Sequence, residues 1–250
     1  MADSHVIPNF IRKRLTGEVS ESGQKKFQFR WVGRKDLPKQ DLPKPNLMCI
    51  ECDSLLGSNI ERHVPSLLMP SNVDEMSSWR TLPITPVEIH GVFETEFYLG
   101  RYDYDEPKSR VLEKFVISVA WRALHALKLD GEKYASEFLS SPHGSSINKQ
   151  VCEHLFHGVD SDFVHTPFLY YWPPKSASLV STKNDEMPFA WASLHDDGEF
   201  LGVAVIFAYW VVVWPLFDLE SENYFSKIDL LNKTCFFDWV SEIMHLLSDS

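Results

Sequence analysis

An uncharged run of eighteen residues, Phe200 to Phe217, constrains this chain more than any other feature. That is long enough to be weighed as a membrane span. Its composition points to strand instead. Val, Ile, Phe, Tyr and Trp dominate, and leucine stands only near the ends, at Leu201 and Leu216, as suits pleated structure buried on both faces. Acidic residues crowd both flanks, at Asp196, Asp197 and Glu199 and at Asp218, Glu220 and Glu222, with no Lys or Arg close by to anchor a topology. The run is therefore read as β-structure, with membrane attachment as the competing reading and no membrane partner expected.

The rest of the chain is read around that run. FVHTPFLYYW and PFAWASLH carry the same aromatic and β-branched character, so strands are expected over about 163–217. Upstream, Leu112, Phe115, Val116, Val119, Ala120, Ala123 and Leu127 recur at three- and four-residue spacing, which predicts a helix from Ser109 to Leu129 stopped by Gly131. Shorter helices are expected at 132–140 and 145–157, and a last one at 235–247. In the first quarter, Phe10, Ile11 and Leu15 share one face of a helix expected over 4–16 and entered through Pro8. KKFQFRWVG (25–33) alternates like a half-buried strand. DLPKQDLPKP (36–45) reads as an extended connector, and a helix runs from the cysteine pair towards Leu68. Short strands of uncertain register are expected between Ser71 and Pro107. The fold class is α+β, with a segment at 1–70 joined to a helical and β-rich body at 71–250.

A chain of 250 residues that is 44% hydrophobic can bury one sizeable core or two small ones. Its net charge of −11 argues against a surface that grips nucleic acid throughout. The charge is divided unevenly. Residues 1–48 carry a net +5, including Arg12, Lys13, Arg14, Lys25 and Lys26, and the remainder carries −16. Either this is chance clustering of solvated charge, or a basic segment meets DNA, RNA or another anion while the acidic body suits a basic protein partner. The N-terminus has no apolar signal run, and four cysteines are ordinary intracellular usage, so a cytoplasmic location is expected.

Cys49-Ile50-Glu51-Cys52 is the most specific local motif. Two thiolates at this spacing reach one tetrahedral ion from a single turn, which is half of a structural zinc site. His5, His63 and His90 are the nearest residues by chemistry to complete it. Reduced, unliganded thiols are the alternative, and a redox pair is the weaker one because the strand-loop-helix context is missing. Cys152, Glu153, His154 and His157 look like a ligand cluster but are read as helix surface. Trp121 and Arg122 read as a core aromatic and as a stem that packs while its charge reaches a carboxylate. The aromatic runs read as core rather than as a base-stacking platform.

The order of SHVIPNF (4–10), Asn46-Leu47-Met48-Cys49-x-x-Cys52 and a following helix resembles the ββα-metal, treble-clef core of the HNH endonuclease superfamily. More narrowly, it resembles bacterial proteins in which S-H-I-I-P-K-F precedes L-C-x-x-C-E and a helix with K-F-x-x-S-x-x-W-R, matched here by Lys114 to Arg122. The resemblance implies a degenerate treble-clef or HNH-like segment, structural Zn²⁺ on Cys49 and Cys52, which His5 and His63 would complete by their chemistry, and a catalytic Mg²⁺ or other divalent ion. It implies His5 as the general base for phosphodiester hydrolysis, Asn46 as its orienting partner and Asp53 as a metal-holding carboxylate. Arg12, Lys13 and Arg14 would lie near bound phosphates. The function so implied is a nucleic-acid endonuclease or recognition subunit in bacterial antiphage defence. The alternative is an inactive zinc-knuckle module serving as a subunit of a larger complex.

Overall fold

The structure is a computed structural model that describes residues 2–11, 28–31, 45–68, 84–87, 99–102, 109–157, 166–171, 189–196, 201–207 and 210–216. In chain order these form β1 (Ala2–Asp3), β2 (Gln28–Trp31), β3 (Asn46–Met48), α1 (Ile50–Leu56) running into a π-helical turn (Gly57–Glu61), and α2 (Pro65–Leu68). There follow β4 (Ile84–Val87), β5 (Leu99–Tyr102), α3 (Ser109–Leu129), α4 (Lys133–Ser140), α5 (Pro142–Phe156), β6 (Phe168–Tyr171), β7 (Phe189–Asp196), β8 (Leu201–Phe207) and β9 (Trp210–Pro215). The chain is α+β.

The uncharged run supplies the centre of the larger sheet. β8 and β9 pair antiparallel, with Val203 opposite Trp214 and Phe207 opposite Trp210. The seven strands lie in the order β2-β7-β8-β9-β6-β5-β4. Every pairing is antiparallel except β2 with β7. The described side chains of β9 are buried throughout, on alternating sides, so both faces of that strand are covered. This is why the run lacks alternation. Among the described residues no helix is long and apolar enough to cross a membrane.

Helix α3 lies against β7, β8 and β9 and also meets α4, α5 and the π-helical turn. Its span matches the periodicity in the sequence, and Gly131 follows it with φ of 87°, a left-handed conformation that disfavours any other residue. The core crosses residue 70: Val6, Ile7, Leu56, Ile60 and Leu68 pack in one cluster with Phe115, Val119, Phe207 and Trp214. Phe115 stacks edge-on against Phe207 at 6.1 Å between ring centroids and meets Phe10 at 5.8 Å.

Three expectations are corrected. The helix expected over 4–16 is not helical at 4–8, which follow the strand at 2–3, and helical geometry begins at 9; residues 12–16 lie outside the described residues. Pro8 disfavours the helical conformation at Ile7, and the chain bends at Val6 and Ile7 before the helical turn begins. The helix leading to Leu68 is broken, because Pro65 has no N–H to continue it and begins a separate turn. Helix α5 starts at Pro142 rather than 145. Ser141 caps it by accepting the Gly144 N–H at 3.0 Å, so the Ser-Pro pair marks the entry. The connector at 36–44 and the helix at 235–247 lie outside the described residues.

Candidate functional site

The N-terminal strand is built on a single short pairing. β1 runs antiparallel to β3, with Ala2 opposite Met48 and Asp3 opposite Asn46, and the Ser4 N–H donates to the Pro45 carbonyl at 3.2 Å. His5 therefore follows just past the point where the strand meets Pro45, two residues beyond the Asp3–Asn46 pair. It is half-buried, and Asn46 is exposed. Because the pairing is antiparallel, the backbone of His5 leaves the ribbon at the end away from Cys49, which follows Met48.

Cys49 caps α1. Its Sγ accepts the Cys52 N–H at 3.2 Å, the role usually given to Ser or Asp at this position. The neighbouring Cys49 thiol, and then burial, push the Cys52 thiol up to about 11. Glu51 is held below the usual carboxylate value by its own backbone N–H and then by Cys49. Cys152 on α5 is raised by burial and then by Glu153, and its proximity adds to the rise at Cys52. Three thiols thus share one neighbourhood at the α1–α5 contact, all of them free.

The proposed zinc set is not gathered. His63 is exposed and lies beyond the π-helical turn, on the order of 15 Å along the helix axis from Cys52 at about 1.5 Å per residue. His5 leaves from the opposite end of the ribbon. Among the described residues no three His, Cys, Asp and Glu side chains group closely enough to hold a metal ion. Cys49, Cys52, His5 and His63 therefore do not fit a closed tetrahedral site. Asp53 is half-buried in the first turn of α1 with no grouped partner for a divalent ion. His90, Arg12, Lys13, Arg14, Lys25 and Lys26 lie outside the described residues.

The site's strongest polar contacts come from α3. Arg122 is only 2% exposed. Its Nε donates to the Ser118 carbonyl at 3.2 Å, Nη2 to Ser118 Oγ at 3.2 Å, and Nη1 to the His5 carbonyl at 2.9 Å, while Nη2 also pairs with Glu61 Oε1 at 2.8 Å. Ser118 Oγ in turn donates to the Phe115 carbonyl at 2.8 Å. The packed stem and carboxylate partner expected for Arg122 are both present, and Trp121 is a core aromatic at 5% exposure. Sequence reasoning missed that the guanidinium reaches the candidate histidine's own backbone. The one sequence signal was the conjunction of Ser118, Trp121 and Arg122 on a helix far from His5.

A second polar cluster was also missed. Asn148 Oδ1 accepts the Trp121 Nε1–H at 2.8 Å and lies 2.8 Å from His125 Nε2. Trp121 can only donate, so the Asn148 atom is the oxygen, and His125 must carry its proton on Nε2. Burial lowers the pKa of His125, against a smaller opposing effect of Asn148. The surface reading of the Cys152 to His157 group fails at His154, which is 5% exposed. It sits on the face of α5 that also buries Ile147, Val151 and Leu155.

Comparison with known proteins returns no matching family model, no matching curated protein and no matching solved structure.

Proposed function

We propose that β1, β3 and α1 form a degenerate HNH-like, treble-clef-related unit through which the chain recognises and cleaves nucleic acid. The observation that supports this is the β1–β3 pairing, which lays the strand leading into His5 against Asn46–Met48, the strand leading into the Cys49-x-x-Cys52 helix. In this reading His5 takes a proton from water as general base, since imidazole titrates near neutrality, and Asn46 orients its ring. Asp53 contributes a carboxylate near the leaving phosphate. The basic stretch with Arg12, Lys13, Arg14, Lys25 and Lys26 positions the backbone, and a role in antiphage defence follows from the family resemblance. With a net −11 on the chain, contact is local and falls steeply with salt.

The test is nicking of supercoiled plasmid and cleavage of single-stranded RNA at low ionic strength, with Mg²⁺, Mn²⁺, Ni²⁺ or Zn²⁺ supplied in turn. His5→Ala is expected to lower cleavage at least a hundredfold, on the order of the contribution of a general base. Cleavage unchanged in that variant would remove His5 from the mechanism.

The scattered ligand set favours a second reading, a catalytically inactive interaction module that serves as a subunit of a larger complex. Elemental analysis of the purified protein and nucleic-acid binding at low salt separate the two. Absence of both bound zinc and nucleic-acid affinity favours the interaction module.

A further inference from the structure

The N-terminal strand cannot hold its own position. β1 is two residues long, and its register shifts between Ala2 and Asp3, whereas a pair of strands this short is not stable alone in water. Val6, Ile7 and Ile11 are fully buried just after it, which secures the segment to the core but without direction, because apolar burial does not specify which carbonyl faces which donor. Direction comes from Arg122. A buried guanidinium is tolerated only where its donors are met. Here the donors divide between its own helix, through Ser118, and two distant pieces of chain, the His5 carbonyl and Glu61. The π-helical turn ends at Glu61, the residue that reaches the guanidinium.

We propose that Arg122 is a positioning residue: Nη1 fixes the His5 carbonyl, and Nη2 holds Glu61 at the end of the π-helical turn. Helix α3 thereby sets the register of β1 against Asn46 and the place of α1 beside it. Lysine cannot substitute, because one ammonium on a flexible stem does not present the planar fork that reaches both acceptors at once. Ser118 belongs to the same device. Its hydroxyl gives its hydrogen to Phe115 and so turns a lone pair towards Nη2. The catalytic consequence rests on the proposed role of His5; the positional one does not.

The experiment is amide hydrogen exchange on the full chain carrying Arg122→Lys, with Glu61→Gln as a milder variant should the first fail to fold. Exchange is expected to quicken roughly tenfold or more at Ser4 and across Asn46–Met48 relative to the amides of α3, the scale expected for loss of a charge-assisted hydrogen bond from a locally opening unit. Exchange at Ser4 and β3 that stays unchanged, or rises only in step with α3, overturns the proposal, because a merely structural role raises both together. Where the wild type cleaves nucleic acid, Arg122→Lys lowers kcat with KM held within about twofold, as expected for lost positioning rather than lost binding. An unchanged kcat overturns the catalytic consequence. A wild type that cleaves nothing overturns the nuclease reading and leaves the exchange result to decide the positional one.

Discussion

A single oxygen, Asn148 Oδ1, serves both Trp121 and His125 in the half-buried contact between α3 and α5. It requires a proton on Nε2 of His125, while burial disfavours a second one on Nδ1. In the unfolded chain an imidazole titrates near about 6.5, and in the folded chain burial lowers His125 below that. The unfolded state then binds the proton more readily as the pH falls. The contribution of His125 to stability is complete above the unfolded value, and it is lost as the pH falls towards the lowered folded value. The urea midpoint is expected to drop between about pH 7 and pH 5, and His125→Gln, which keeps an N–H donor, should make that drop shallower. Equal pH dependence in the variant and the wild type assigns the effect to other groups.

Elements show where sequence reasoning succeeds. The span of α3 was legible because a helix that packs on the sheet and on other helices still leaves a strong three- and four-residue repeat. Phe200–Phe217 was legible by composition, although not as two strands, because a doubly covered strand has no alternation to mark its ends. The helix entry at Pro8 holds, since the Ile11 N–H donates to the Pro8 carbonyl at 3.0 Å, but the residues ahead of it were misread because the pairing of β1 depends on residues more than forty positions away. The contact between α4 and α5 turns on one glycine. A Cβ at Gly144 would run into the Phe138 carbonyl of α4, which is backbone and cannot swing aside. Gly144→Ala is expected to cost about 2 kcal/mol or more through forced separation of the two helices, read as a lowered urea midpoint. An unfolding free energy within about 0.5 kcal/mol of wild type, the scale of an ordinary surface change, would show that the backbone yields there.

The whole molecule is joined by long-range polar bonds as well as by its core. Trp210 is fully buried on β9, and its Nε1–H donates to the Leu68 carbonyl at 2.8 Å, tying the end of α2 to the sheet. Trp210→Phe leaves that carbonyl without this donor and opens space beside it, so a loss of about 2–4 kcal/mol is expected. In urea the transition should remain single, with an unchanged slope, because both sides of the contact belong to one core. Two separated transitions would show instead that residues before 70 melt on their own. None of these ties was readable in advance, since hydrogen bonds across such separations leave no period in a sequence. The candidate site was legible as residue types alone. The dispersal of its intended metal ligands was not.

The bond from Arg122 to the His5 carbonyl spans 117 positions, and this gives the chain a history. During synthesis the segment with His5 precedes α3, at about 5–20 residues per second, so its anchor is not made until residue 122 has followed. Until then Glu61 has no guanidinium, and β1 depends on its brief pairing with β3. The segment around His5 is thus secured late, and a chain interrupted before α3 would carry His5 without the contact that gives it a fixed address.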